Sequence, residues 1–235
     1  MKPTKKAESM TTAELAQYID HSVLKPQFTL DDIREQITRG IAYGCKTVCV
    51  NPAYASLAKE LCAGTKTGVC AVCDFPFGAS STESKVAQAE LILKDGGIED
   101  LDVVVNYGLM RSGAWDEAKR DIKAVTDAVH AHGANIKVIF ETDALSMNEI
   151  VRATEIACEA GADFVKTSTG FYTGGELHGA TPEIVKAMID AAAGRCRVKG
   201  SGCIRSREHF LALIDLGIDR MGIGYKSTPV VLGIR

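Results

Sequence analysis

Two lysines and an aspartate carry the chemistry legible in this sequence. Lys166 follows Phe164-Val165 and opens onto Thr167-Ser168-Thr169-Gly170, so a short apolar strand ends in an amine beside hydroxyls and a glycine. Lysine is almost never fully buried without a partner, because desolvating an ammonium is costly unless it gives up its proton. A neutral amine among hydroxyl donors is what forms a Schiff base with a carbonyl. The plainer alternative is that Lys166 snorkels to solvent from the strand end. Lys199 shifts the balance, since it too closes a short apolar strand, Arg197-Val198, before Gly200-Ser201-Gly202. Thr181-Pro182-Glu183 between them reads as an N-cap, a first-turn proline and a first-turn acid, starting a helix that runs to about Ala193. In such a parallel strand-helix-strand unit both lysines emerge at the same end of the sheet. A like charge about 4 Å away contributes about 4 kcal/mol at an effective dielectric near 20, so Lys199 is expected to activate Lys166. Asp102 interrupts an apolar strand, and alternation places Asp102, Val104 and Asn106 on one face and Leu101, Val103 and Val105 on the other. An acid among valines is expensive unless paired, and the two lysines supply the pairing. Asp102 is then expected to hold Lys199 charged and relay protons, with a surface position at the strand start as the alternative.

The elements that must position these groups alternate along the chain. A short leading helix starts at Thr12, and a first strand near residues 18–20 precedes His21. Helices then follow strands at 47–50, 67–73, 101–105 and 136–140, and at the two lysine-bearing strands; an eighth strand at 220–223 leaves room for only a short closing helix. Eight strands alternating with helices, without a linker, predict a single (β/α)8 barrel, an α/β fold, over residues 10–235, preceded by a flexible basic N-terminus at residues 1–9. In that fold the C-terminal strand ends form the active-site mouth.

Composition narrows the partners. The chain has 235 residues, 46% hydrophobic and 24% charged, with a formal net charge of -3, which argues against a nucleic-acid partner. No apolar run is long enough for a signal peptide or a membrane span, so a cytoplasmic location is expected. The eight cysteines are scattered through apolar patterns and are expected to be reduced. Cys70-Ala71-Val72-Cys73 has redox spacing, but residues three apart on a strand face opposite sides. Among the histidines only His21 lies near a strand end, too few converging ligands for a catalytic metal; neither metal nor cofactor is expected.

Glycine turns follow the last two strands, Gly200-Ser201-Gly202 and Gly222-Ile223-Gly224. Loops at these places form the usual phosphate cradle of barrel enzymes, because glycine lets backbone N–H groups approach an anion. Arg205 and Lys226 stand nearby as counter-charges.

These residues together are similar to the deoxyribose-phosphate aldolases, a family of class I aldolases. The similarity runs through Asp20-His21, Leu24-Lys25-Pro26, Cys49, Phe75-Pro76, Asp102, Lys137-Val138-Ile139, Glu141-Thr142, residues 161–171 and the segment around Lys199. It implies a TIM barrel, with Lys166 as Schiff-base lysine, Lys199 as activating lysine and Asp102 as proton-relay acid. It also implies metal-free cleavage of 2-deoxy-D-ribose 5-phosphate to glyceraldehyde 3-phosphate and acetaldehyde, and the reverse addition. Substrate contacts are expected from Cys49, Thr167, Ser168, Gly170, Gly200, Ser201, Gly202, Gly222, Gly224, Lys226 and Arg205. The expected partners are small aldehydes and sugar phosphates, with assembly as a homo-oligomer, a dimer or a tetramer. The chain departs from the family's usual glycines at Asp74 and Cys203 and from a common serine at Gly224; residues 176–179 look inserted, and a longer tail ending in tyrosine, found in some members, is not matched. These departures, the tail aside, are expected to lie where substrate or its phosphate binds. An aldolase of altered, non-phosphorylated acceptor and a silent sugar-phosphate-binding barrel are the alternatives.

Overall fold

A computed structural model describes residues 5–234. Eight parallel strands close into a barrel in sequential order: β1 (Ile19–Val23), β2 (Thr47–Val50), β3 (Gly68–Cys73), β4 (Asp100–Val104), β5 (Asn135–Ile139), β6 (Phe164–Lys166), β7 (Arg197–Ser201) and β8 (Arg220–Gly224). Around them lie α1 (Thr12–Ala16), α2 (Leu30–Ala42), α3 (Ala55–Cys62), α4 (Thr82–Leu93), α5 (Tyr107–Arg111), α6 (Trp115–Ala131), α7 (Met147–Glu159), α8 (Pro182–Ala192), α9 (Arg207–Leu216) and the short closing α10 (Thr228–Leu232). Side-chain oxygens of Thr29, Ser81, Ser146, Thr181 and Ser206 accept from the first-turn amides of α2, α4, α7, α8 and α9 and so set where those helices begin. Outward strand residues such as Leu101, Val103, Ile136, Val138, Met221 and Ile223 pack with helix residues such as Ile37, Val125, Ile150, Val185 and Leu213 in one apolar core. Among the described residues no helix is long and apolar enough to cross a membrane.

Four expectations need correction. The first strand is displaced: β1 covers Ile19–Val23, so His21 sits mid-strand and buried, its Nδ1 2.8 Å from Thr228 Oγ1. Polar Asp20, His21 and Ser22 hid that strand from a hydrophobic pattern. Asn106 lies past the end of β4, where its Oδ1 accepts from Leu109 N at 3.3 Å and caps α5, a helix inside the expected loop. Of the basic N-terminus, residues 1–4 lie outside the described residues. The rest is docked, with Ala7 buried and its N donating to Asp215 Oδ1 at 2.9 Å. Finally, Cys158 and Cys196 form a disulfide, with Cα atoms 5.7 Å apart. The end of α7 meets the start of β7 there, a proximity that their 38-residue separation concealed. The other six cysteines are free.

Candidate active site

Barrel closure turns alternate residues of each strand inward, and here the inward set is ionic. The register pairs Asp102 with Lys137, Lys166 with Lys199, Lys199 with Arg220, and Asp20 with Gly222. Asp102 lies between the two predicted lysines, its Oδ2 accepting from Lys166 Nζ and Lys199 Nζ, both at 2.7 Å. Lys199 also donates to Asp20 Oδ2 at 2.5 Å. Lys137 Nζ lies 2.5 Å from Asp100 Oδ2 and 3.2 Å from Asp102 Oδ1, and Arg220 Nη1 donates to Asp20 Oδ1 at 2.8 Å. Thr47 Oγ1 completes the shell around Asp20 at 2.7 Å. Phe164 closes the cluster on one side, its ring centroid 5.5 Å from Lys137 Nζ and 3.8 Å from the Arg197 guanidinium carbon.

Burial opposes charge on Asp20, Asp102, Lys137, Lys199 and Arg220, yet the partners win. Desolvation by itself raises the pKa values of Asp20 and Asp102, but the surrounding lysines, and Arg220 for Asp20, hold both well below the usual carboxylate range. Desolvation likewise works against the charge of Lys199 and Lys137, and Asp102 and Asp20 raise both above an ordinary lysine. Three carboxylates thus face four cations, Lys137, Lys166, Lys199 and Arg220, leaving one positive charge in excess.

Lys166 is the member of this cluster that reaches a cavity of about 290 Å³ at the C-terminal end of the barrel. Gly170 and Phe171 line one side of it. Ser201, Gly202, Cys203 and Arg205 line a second, and Gly222, Gly224 and Lys226 a third. Among the described residues the amides of Cys203 and Ile204 make no hydrogen bond, and Lys25, Arg205 and Lys226 form no ion pair. Lys25, also in the wall, stands 4.8 Å from the centroid of the Phe171 ring. Free amides and unpaired cations in one concave wall suit an anion.

Other expected contacts are brought near but not into the cavity. Thr167 faces away from it, its Oγ1 donating to Ser201 O at 2.8 Å and accepting from Ser201 N at 2.9 Å. Ser168 is fully buried with its Oγ 2.9 Å from Thr142 Oγ1, and a Cβ on Gly200 would meet Ile218 and Ala180, on the helix side. These three shape the wall. Cys49 is buried in an apolar lumen cluster with Leu24, Cys70 and Val72. Of the departures, Cys203 and Gly224 line the cavity, whereas Asp74 does not; it accepts from Ser80 N and Oγ at 3.0 and 2.7 Å.

Asp20, Asp100, Lys137 and Arg220 were not assigned as site residues from sequence, although each is a charge at an inward position of a strand. That positional signal could have found them. Cys49, Cys70 and Asp102 bring potential ligand atoms within 4.8 Å of one another. Asp102 is already committed there to three ammonium groups, and Lys137 Nζ lies 3.7 Å from Cys70 Sγ, so cations hold that position.

Comparison with known proteins agrees with this geometry. A family model described as DeoC/LacD family aldolase matches residues 14–225. The deoxyribose-phosphate aldolase of Thermococcus gammatolerans is 45% identical over 228 residues, 96% of this chain and 99% of that protein. That of Finegoldia magna is 45% identical over 209 residues, 89% and 95% of the two chains. Among solved structures, QR15, an aldolase, has a TM-score of 0.84 at 36% identity, covering 94% of this chain and 95% of that one. The deoxyribose phosphate aldolase of Aeropyrum pernix, described as having a unique tetrameric structure, also reaches 0.84, at 29% identity over 95% and 91%. A buried lysine-aspartate cluster opening through one amine, on a chain matched almost end to end by aldolases, places this protein in the DeoC/LacD aldolase family.

Proposed function

We propose that the protein is a class I aldolase that cleaves 2-deoxy-D-ribose 5-phosphate to glyceraldehyde 3-phosphate and acetaldehyde, and catalyses the reverse addition. One observation carries this reading: Lys166 is the amine of the ionic cluster that reaches the cavity, and its proton acceptor, Asp102 Oδ2, is 2.7 Å away and shared with Lys199. As a free amine, Lys166 attacks the C1 aldehyde of the open-chain sugar to give a carbinolamine, and loss of water leaves the imine. Asp102 and Lys199 pass the protons this exchange requires. Removal of the C3 hydroxyl proton then breaks the C2–C3 bond. The phosphorylated aldehyde departs, and its electron pair stays on the nitrogen-bound fragment as an enamine, which is protonated at C2 and hydrolysed to acetaldehyde and free Lys166.

The amides of Cys203 and Ile204, with Lys226, Arg205 and Lys25, are proposed to receive the phosphate. Cys203 adopts the left-handed conformation, φ 58°, that its usual glycine would favour, so the turn keeps its shape despite the side chain. The named relatives and the tetrameric neighbour support small aldehydes and sugar phosphates as substrates and a homo-oligomeric assembly. Borohydride with acetaldehyde should add one ethyl group, about 28 mass units, to the peptide bearing Lys166. Label on Lys199 instead would reverse the assignment. Phosphorylated deoxyribose should exceed the free sugar by about tenfold or more in kcat/KM; equal rates would favour the altered-acceptor alternative.

A further inference from the structure

Asp143 lies outside the cavity, in the turn Thr142–Ala144 that follows β5, yet it is tied to the cavity wall by a short mechanical route. Its Oδ1 accepts from the backbone N–H groups of His178 and Gly179, both at 2.9 Å. Its Oδ2 is buried without a hydrogen-bond partner, so those two amides are what compensates this carboxylate. The segment they belong to presses on the turn after β7. Gly179, at φ +62°, sits so close that a Cβ there would lie 2.4 Å from Gly202 C and O. Ala180 N donates to Gly202 O at 3.1 Å, and Cys203 Sγ donates to Leu177 O at 3.5 Å.

Gly202 and Cys203 both have left-handed φ, 85° and 58°. For a residue with a Cβ that conformation is unfavourable and needs outside support. Residues 177–180 supply it on the side away from the cavity, and Asp143 holds residues 177–180.

We infer that Asp143 is a positioning residue for the anion-binding wall: through residues 177–180 it sets the direction in which the Cys203 amide faces the substrate phosphate. This rests on the phosphate reading above, but the coupling itself can be measured without it.

Cys203 is the one partly exposed free thiol among the described residues, so its alkylation by iodoacetamide, mapped by peptide mass, reports on the turn. In Asp143→Ala of the full chain, Cys203 should be alkylated about fivefold or more faster. KM for deoxyribose 5-phosphate should rise about tenfold, while trapping of acetaldehyde on Lys166 persists. Asp143→Asn keeps an acceptor oxygen and should recover most of the KM. Gly179→Ala, which pushes on Gly202 directly, should raise KM with Asp143 intact. Unchanged alkylation and KM in Asp143→Ala would overturn the inference, as would a parallel fall of kcat and trapping, which would mark a general structural role. Faster alkylation in a protein whose wild type does not distinguish phosphorylated from free sugar would sink the phosphate reading and leave the positioning coupling standing.

Discussion

Neighbouring residues of β5 show two kinds of interior. Ile136 faces outward into the layer between sheet and helices, where its neighbours are apolar. Lys137, one residue on, faces the lumen and meets Asp20, Asp100 and Asp102. The outer layer gains from non-directional burial, so each contact is worth roughly its area and neighbours share a loss. In the lumen each charge is tolerated only because specific others are present, and removing one leaves the rest unpaired. The outer layer thus supplies a rigid frame, and the lumen spends that rigidity on holding one amine beside one carboxylate.

The sharpest break of that comparison is Asp102→Leu. It removes the proposed proton acceptor of Lys166 along with a partner of Lys199, so kcat should fall by about two to four orders of magnitude in folded protein. A variant of undiminished rate would remove Asp102 from the mechanism. Next is Lys137→Met, expected to cost about 3 to 5 kcal/mol in urea unfolding because Asp100 and Asp102 lose their ammonium. Adding Asp100→Asn should recover part of that loss, and strict additivity would mean that the lumen charges act independently. Ile136→Ala should cost about 2 to 5 kcal/mol with kcat unchanged, separating the frame from the chemistry.

The smallest effect depends on pH and tests a titratable group that faces the outer layer. Burial of His21 pushes its pKa down from 6.5 to about 4. The fold therefore keeps the neutral imidazole, and its contribution is fully present above pH 6.5 and is lost as pH falls from 6.5 toward 4. The limb amounts to about 3 kcal/mol at most. The carboxylates of Asp20 and Asp102, held low by their cations, begin to lose their stabilisation as pH falls through the ordinary carboxylate range and go on losing it below, so most of the His21 window lies above theirs. His21→Phe should flatten the limb between pH 6.5 and 4 in a thermal-unfolding series; an unaltered limb would assign it to other groups.

Much of this protein can be read from its residues in order. Helix caps, alternating apolar strands and the glycine turns are local signals, and they specify eight strand-helix units with Lys166 and Lys199 at one mouth. Asp102 is legible for the same reason, as a charge set among valines. What only the tertiary structure decided is which distant groups meet. Lys199 pairs with Asp20 across 179 residues and Arg220 with Asp20 across 200, contacts created by closing β8 onto β1. Cys158 meets Cys196, and Asp143 reaches His178 and Gly179, by the same kind of packing of loops and elements far apart in the chain. Periodicity tells which face a side chain takes, because that depends on its own strand. The partner it finds depends on register between strands, and that is set by barrel closure.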